Sequence, residues 1–302
     1  DKPSAALTAP EPDRAEKEAE KNKNAKLQGA AEAIQAMVSD NGLSIEDAHQ
    51  RFHAAIQDIT GSSSAKPSMH SALAPALQPP RREDLATRGL LGCGGFGVVE
   101  LVEDKAGRTF AQKSMSKGYI VKTGMQASVR TELIVLKLVS TGSPFIVNLI
   151  GTHNGNQIIF FLLEACLGGE LYATYSRKQF HGSIAHARYY IASLSLGLAY
   201  LHSLHVVCRG VKPEDCVLDA NGKMKLCDMG LATFVANKTY TTCGTPDYFA
   251  PEVIGSLGHY FPYDWWCAGI MLFELLAAHP PFESASPMQI YSKVMKGIEQ
   301  IS

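Results

Sequence analysis

The chain is predicted to be an α+β protein of two lobes, a small strand-rich one and then a helical one, preceded by a charged helical extension. Three observations predict this. Composition shifts near residue 82, from Ala, Glu, Lys and Gln with few large apolar residues to a globular texture. Beyond residue 85, short β-branched runs come first ("GVVELVED", "TFAQKSM", "FIVNLIG"), as a small sheet requires. From Ile184 onward apolar residues recur at helical spacing, in "ARYYIASLSLGLAYLHSL" and "DWWCAGIMLFELLAA". Strands followed by helices make an α+β pattern.

Within the extension, "EPDRAEKEAEKNKNAKLQGAAEAIQAMV" (11–38) is built of strong helix formers, with Pro12 suited to a first turn. A second helix is expected over "LSIEDAHQRFHAAIQDITG" (43–61), with Ser44 as N-cap and Gly61 as the stop. Ile45, Ala48, Phe52, Ala55, Ile56 and Ile59 fall on one face of it. Such a stripe packs against a neighbouring element or pairs with another chain, so 44–60 is a candidate docking helix for a protein partner. "GSSSAKPSMHSALAPALQPPRR" (61–82) has the composition of a linker. The expected boundaries are therefore 1–82 for extension and linker and 83–302 for the globular domain.

The composition, 46% hydrophobic and 19% charged, suffices for a substantial core, and a net charge of −1 exerts no general pull on nucleic acid or anionic lipid. Seven scattered cysteines form no CxxC pair and have no zinc spacing, which fits free thiols in a reducing cytoplasm. No apolar run approaches the ~20 residues of a membrane span, and the first residues lack the apolar core of a secretory signal.

The chemistry is concentrated in short strings. "LGCGGFGVVE" (91–100) holds Gly92, Gly94 and Gly97 between two strand-like runs, where glycine lets backbone approach phosphates. A Rossmann turn has a similar pattern, but a strand follows here instead of a helix. Lys113 ends the next strand, and Glu132 lies in the helical "ASVRTELIVLKLV", placed to hold it by an ion pair. Then come "CRGVKPEDC" (208–216), "KLCDMGLA" (225–232), "CGTPDYFAPE" (243–252) and "YDWWCAG" (263–269).

In order and spacing these strings resemble a eukaryotic protein kinase over residues 85–302. "LLEACLGGEL", "CGTPDYFAPE" and "PMQIYSKVMKGIEQI" look like the basophilic cyclic-nucleotide-regulated Ser/Thr kinases, most like the cGMP-dependent ones. The resemblance implies a bilobal fold, with an N-lobe at about 85–163 and a C-lobe at about 167–302 that lacks the family's last helices. It implies ATP and Mg²⁺ as cofactors and a protein or peptide substrate with basic residues. Cyclic-nucleotide control does not follow, because residues 1–82 are too short and polar for a cyclic-nucleotide-binding domain.

By the same resemblance, Gly92, Gly94 and Gly97 cover the phosphates and Lys113, held by Glu132, pairs with them. Val99, Ala111, Leu163, Glu164, Cys166 and Glu170 complete the nucleotide site, the adenine meeting the backbones of Glu164 and Cys166. Asp228 and Asp215 would hold the metal, Lys212 would neutralise the transferring phosphoryl, and Thr245 belongs to the catalytic set. Arg209 would anchor an activation segment phosphorylated on Thr241, and Asp264 would pin the catalytic-loop backbone. Glu170, Glu214 and Glu274 match positions that hold substrate arginines.

Five positions depart from the pattern. Gly210 stands where the proton-accepting Asp is usual, and Asp215 where an Asn is usual. Met229 replaces a Phe, and two further partners of a phosphothreonine appear as Ser128 and Thr233. General-base catalysis contributes ~10²–10⁴-fold, so the expectation is an ATP-binding domain that is weakly active or regulatory. The alternatives are an active basophilic kinase using another base, such as Asp215 or Asp228, and a decayed kinase fragment.

Overall fold

The structure, a computed structural model, describes residues 13–41, 45–61, 78–94, 97–139 and 142–298. Pro12 and Ser44, expected at the starts of two helices, and most of the expected linker lie outside these residues.

Two helices open the chain, α1 (Arg14–Asn41) and α2 (Ile45–Thr60). Gly61 adopts φ +71 directly after α2, the left-handed stop that glycine provides. The two helices pack on each other and on the domain that follows. Leu27, Ala31 and Ile34 of α1, spaced as one helical face, share a continuous core with Ala48, Phe52 and Ile56 of α2 and with the domain interior. The ring of Phe52 meets Phe234 edge-on at 5.8 Å, and His49 Nε2 donates to the carbonyl of Leu138 at 2.8 Å. This corrects the expectation of a separate protein partner for 44–60. Ala48, Phe52 and Ile56 of the expected stripe are buried within the same chain, the packing alternative.

A five-stranded antiparallel sheet follows, ordered β1-β2-β3-β5-β4. Its strands are β1 (Ala86–Gly94), β2 (Gly97–Glu103), β3 (Thr109–Ser116), β4 (Leu149–Asn154) and β5 (Ile158–Glu164). "FIVNLIG" is a strand only in its second half. Val147 and Phe145 instead exchange backbone hydrogen bonds with Leu226 in the other lobe, so pairing with β5 starts at Leu149. Between β3 and β4 lie α3 (Lys117–Lys122) and α4 (Gln126–Val139). The end of the expected linker is folded onto this lobe, with Arg82 stacked over Phe160 at 4.2 Å.

The helical lobe begins with β6 (Gly169–Glu170), α5 (Leu171–Lys178) and α6 (Ile184–Ser203). Short strands β7 (Val206–Val207), β8 (Cys216–Leu218), β9 (Met224–Leu226) and β10 (Thr233–Phe234) line its upper surface. Below them lie α7 (Pro251–Ile254), α8 (Phe261–Ala277) and α9 (Pro287–Lys296). Leu194, Leu198 and Leu201 of α6 and Tyr263, Cys267 and Met271 of α8 are buried in one core at the 3/4 spacing of an amphipathic helix. Met229, in place of the expected Phe, is also buried there. Its flexible thioether fills the space an aromatic ring would take.

Candidate active site

Strand register decides what faces the cleft between the lobes. Val99 pairs with Lys113, Lys113 with Phe161, and Ala111 with Leu163. Directly paired residues share a face of a sheet. Val99, Ala111, Lys113 and Leu163 therefore point together, into a cavity of about 310 Å³. Gly92, Gly94 and Gly97 border the same cavity, as do Glu164, Cys166 and Glu170.

The glycines differ in their reasons. A Cβ on Gly97, at φ +156, would lie 2.0 Å from the Ser114 carbonyl oxygen, so close packing of β2 on β3 requires that glycine. A Cβ on Gly92 or Gly94 would meet nothing within 4 Å. Packing demands neither, and their bare backbone keeps one wall of the cavity open to a ligand.

Lys113 Nζ lies 2.6 Å from Glu132 Oε1, both nearly buried. Burial alone would lower the Lys113 pKa, but the Glu132 and Asp228 carboxylates outweigh it and hold the ammonium charged. Burial pushes the Glu132 carboxyl upward, and the Lys113 ammonium opposes this without cancelling it. Glu164 Oε1 takes Lys225 at 2.6 Å, and its other oxygen accepts from Asn148, which fixes the turn after β5. Burial, then the Glu164 charge, pushes the Cys166 thiol up to about 12, so it is an inert lining group.

A second cavity of about 310 Å³ adjoins the first, and Asp228 borders both. Gly210, Lys212, Asp215 and Thr245 line it. Asp228 Oδ1 accepts from the Gly230 amide at 2.8 Å, which aims the carboxylate. Burial, then the charge of Asp228, pushes the Asp215 carboxyl up to about 8. Two carboxylates that repel each other across one cavity are of the chemistry that a divalent cation would suit. Among the described residues no cluster of three or more His, Cys, Asp or Glu side chains placed to hold a metal occurs.

The backbone entering this cavity is anchored from below. Asp264, fully buried, accepts from the amides of Cys208 and Arg209 at 2.9 Å each and contacts His202 Nε2 at 2.8 Å. Arg209 adopts φ +65 and donates from Nε to the Leu231 carbonyl at 2.7 Å. Gly210 follows at φ +140, in a region that glycine alone occupies freely. A Cβ there would touch only Gly244 Cα at 3.4 Å and Leu231 at 3.8 Å.

The carboxylates expected to meet substrate arginines are dispersed. Glu170 and Glu214 border the first cavity together. Burial, then Glu214, pushes the Glu170 carboxyl upward. Glu274 is buried and accepts a hydrogen bond from the Tyr248 hydroxyl, so an arginine reaching it would have to replace that bond. Thr241 is exposed.

The family model described as Protein kinase domain matches residues 85–302. The chain belongs to the protein kinase family. Human cGMP-dependent protein kinase 2 is 42% identical over 224 residues, which are 72% of this chain and 29% of that protein. The mouse cAMP-dependent protein kinase catalytic subunit PRKX is 39% identical over 214 residues, 70% of this chain and 59% of that one. The human putative serine/threonine-protein kinase PRKY is 39% identical over 232 residues, 76% and 82% respectively. The chain spans less than a third of the length of its cGMP-dependent relatives.

Sequence reasoning missed part of this kinase site. Leu91, Val147, Val217 and Cys227 also line the first cavity. Val217 belongs to a three-residue strand and Val147 to a loop, too short for any periodicity to register. The ties from α1 were missed as well. Asn24 accepts from the Ala236 amide at 2.7 Å and donates to the Lys238 carbonyl at 2.8 Å. Arg130 of α4, two residues before Glu132, pairs with Glu32 of α1 at 2.6 Å. A polar residue on a charged helix has no signature that marks it for such a contact.

Proposed function

We propose that this chain is an ATP- and Mg²⁺-binding Ser/Thr kinase domain that transfers phosphate weakly and acts chiefly as a regulator. One observation carries the reading. Lys113 is paired with Glu132, and Asp215 and Asp228 converge beside Lys212, yet position 210 presents no side chain to the same cavity. When bound, ATP with Mg²⁺ supplies the transferable phosphoryl group and neutralises its oxygens. Val99, Ala111 and Leu163 offer the apolar slot that a purine fills, with Gly92 and Gly94 leaving room for the phosphates beyond it. Lys113 and Lys212 present fixed positive charge along the phosphate path. Without a carboxylate at 210, nothing at that position accepts the substrate hydroxyl's proton or orients it, a loss of ~10²–10⁴-fold in rate. Substrates with basic residues fit the acidic pair Glu170 and Glu214 at the mouth of the cleft. The seven cysteines are all free, as a cytoplasmic location favours.

A second reading rests on Asp215. Its carboxyl lines the cavity that Gly210 and Lys212 share and, in its ionised form, would itself take the hydroxyl proton. Calorimetric titration of ATP with Mg²⁺, run beside transfer of labelled phosphate to a basic peptide, tests both. Micromolar binding with a slow transfer that Asp228→Asn abolishes supports the proposal. Fast transfer lost in Asp215→Asn favours the second reading, and absence of nucleotide binding at millimolar ATP sinks both in favour of a decayed fragment.

A further inference from the structure

Lys225 lies off the phosphate path, yet strand register brings its side chain to the wall of the first cavity. Glu170 of β6 pairs with Val217 of β8, and Val217 pairs with Lys225 of β9. Directly paired residues share one face of a sheet. On this face Glu170, Val217 and, two residues beyond Lys225, Cys227 all line that cavity. Lys225 does not end in solvent there. Its Nζ reaches Glu164 Oε1 at 2.6 Å, at the end of β5 in the strand-rich lobe, and its side chain is only 12% exposed. Burying an ammonium this far demands a partner, and Glu164 supplies it.

Both ends of this tie are themselves anchored. Glu164 Oε2 accepts from the backbone amide of Asn148 at 3.3 Å and from its side-chain amide at 3.1 Å, and the Glu164 amide donates to the Asn148 carbonyl at 2.9 Å. On the other side, the Leu226 amide donates to the Phe145 carbonyl at 2.9 Å, and its carbonyl accepts from the Val147 amide at 2.8 Å. Asp228, two residues after Leu226, borders both cavities. Beyond burial, the Cys166 thiol is pushed up by Glu164 and drawn down by Lys225, so both charges act at the turn that follows β5. One ion pair therefore joins the turn at 164–166, which borders the first cavity, to the strand that leads into Asp228.

We propose that Lys225 is a positioning residue for nucleotide binding, its ion pair with Glu164 strapping the two lobes together beside the cavity and holding the turn at 164–166 in place relative to Asp228. The inference rests on the nucleotide reading and adds to it a residue that acts on the nucleotide through Glu164. Without the tie the turn keeps its bonds to Asn148 but loses its side-chain link to β9, and the aligned cleft is populated for only part of the time. Apparent affinity falls with that fraction, so an aligned population of about one tenth weakens binding roughly tenfold.

The full chain is compared with Lys225→Met, Glu164→Gln, the double variant and Lys225→Arg. Calorimetry gives the dissociation constant for ATP with Mg²⁺. Amide hydrogen exchange of the nucleotide-free chain is followed at Val147 and Leu226, whose backbone bonds cross between the lobes. Lys225→Met and Glu164→Gln are each expected to weaken ATP binding roughly tenfold and to speed exchange at these amides. The double variant should be no worse than either single one, because both remove the same contact, and Lys225→Arg should restore affinity and protection. Glu164→Gln keeps an acceptor for Asn148, so it tests the tie even where Lys225→Met folds poorly. Wild-type affinity in both single variants overturns the inference and leaves the nucleotide reading standing. Full additivity of the two single effects, or weakened binding with unchanged exchange, overturns it as well. A wild-type chain that binds no ATP at millimolar concentration sinks the nucleotide reading, and the inference falls with it.

Discussion

Replacing Gly210 by Asp returns a carboxylate to the cavity where Lys212, Asp215 and Asp228 already converge. There is room for it, since an added Cβ would make only ordinary contacts with Gly244 and Leu231. The cost lies in the backbone. At φ +140 a non-glycine residue is strained by ~1–3 kcal/mol, equivalent to a fall of about 2–10 °C in Tm. Gly210→Ala carries the same strain without the carboxylate and is the necessary companion. Initial rates of labelled phosphate transfer to a basic peptide should rise ~10²–10⁴-fold in Gly210→Asp over Gly210→Ala. Urea unfolding should show both variants less stable than the wild type by similar amounts. If Asp is no faster than Ala, the missing side chain is not what limits the chemistry. If Ala is as stable as the wild type, the backbone strain is absent and the reasoning about Gly210 is wrong.

Three further outcomes are expected. Phe52→Ala removes a fully buried ring packed on Phe234 and should cost ~3–5 kcal/mol; a loss below ~1 kcal/mol in chemical denaturation would show that α2 is not part of the kinase core. Gly97→Ala drives a Cβ into the Ser114 carbonyl and should destabilise the small lobe by ~1–3 kcal/mol. Gly92→Ala meets nothing and should leave stability within ~0.5 kcal/mol while weakening nucleotide affinity in calorimetry, and the reverse ranking would refute the assignment of the two glycines. Burial, then Arg209, lowers the His259 pKa to about 4, and burial lowers His49 and His205 as well. Lowered values mean stability is present above the ordinary value of 6.5 and lost as pH falls below it, for His259 on the way to about 4. The slope is at most ~1.4 kcal/mol per pH unit for each histidine, and His259→Gln should flatten it in pH-dependent denaturation.

Much of the site was legible because its signals are local. A glycine-rich turn, a lysine ending a strand and an acid-bearing loop each need only a few neighbouring residues to be recognised. Gly210 itself was visible as an absence. Its φ of +140 was not, because the loop is held in space by groups distant in the chain, such as Asp264, which anchors the amide of Cys208 56 residues away. The offset of β4 arose likewise, since Phe145 and Val147 pair with Leu226 across the lobes.

The α2 stripe illustrates the division most directly. Periodicity in the sequence determined that one face of this helix is apolar, and composition determined that α1 is helical. Neither could say what covers them. Phe52 on Phe234, His49 on Leu138 and Glu20 on Asn237 join residues far apart along the chain, up to 217 positions. The sequence by itself determined the order of the chemical groups, the elements that carry them and the missing carboxylate at 210. Only the tertiary structure decided that α1 and α2 share one buried core with the residues beyond 85, that burial and Asp228 push the Asp215 carboxyl upward, and that α1 lines a cleft with Thr241. Desolvation and charge pairing depend on neighbours in space, and the chain sets those only when it has folded.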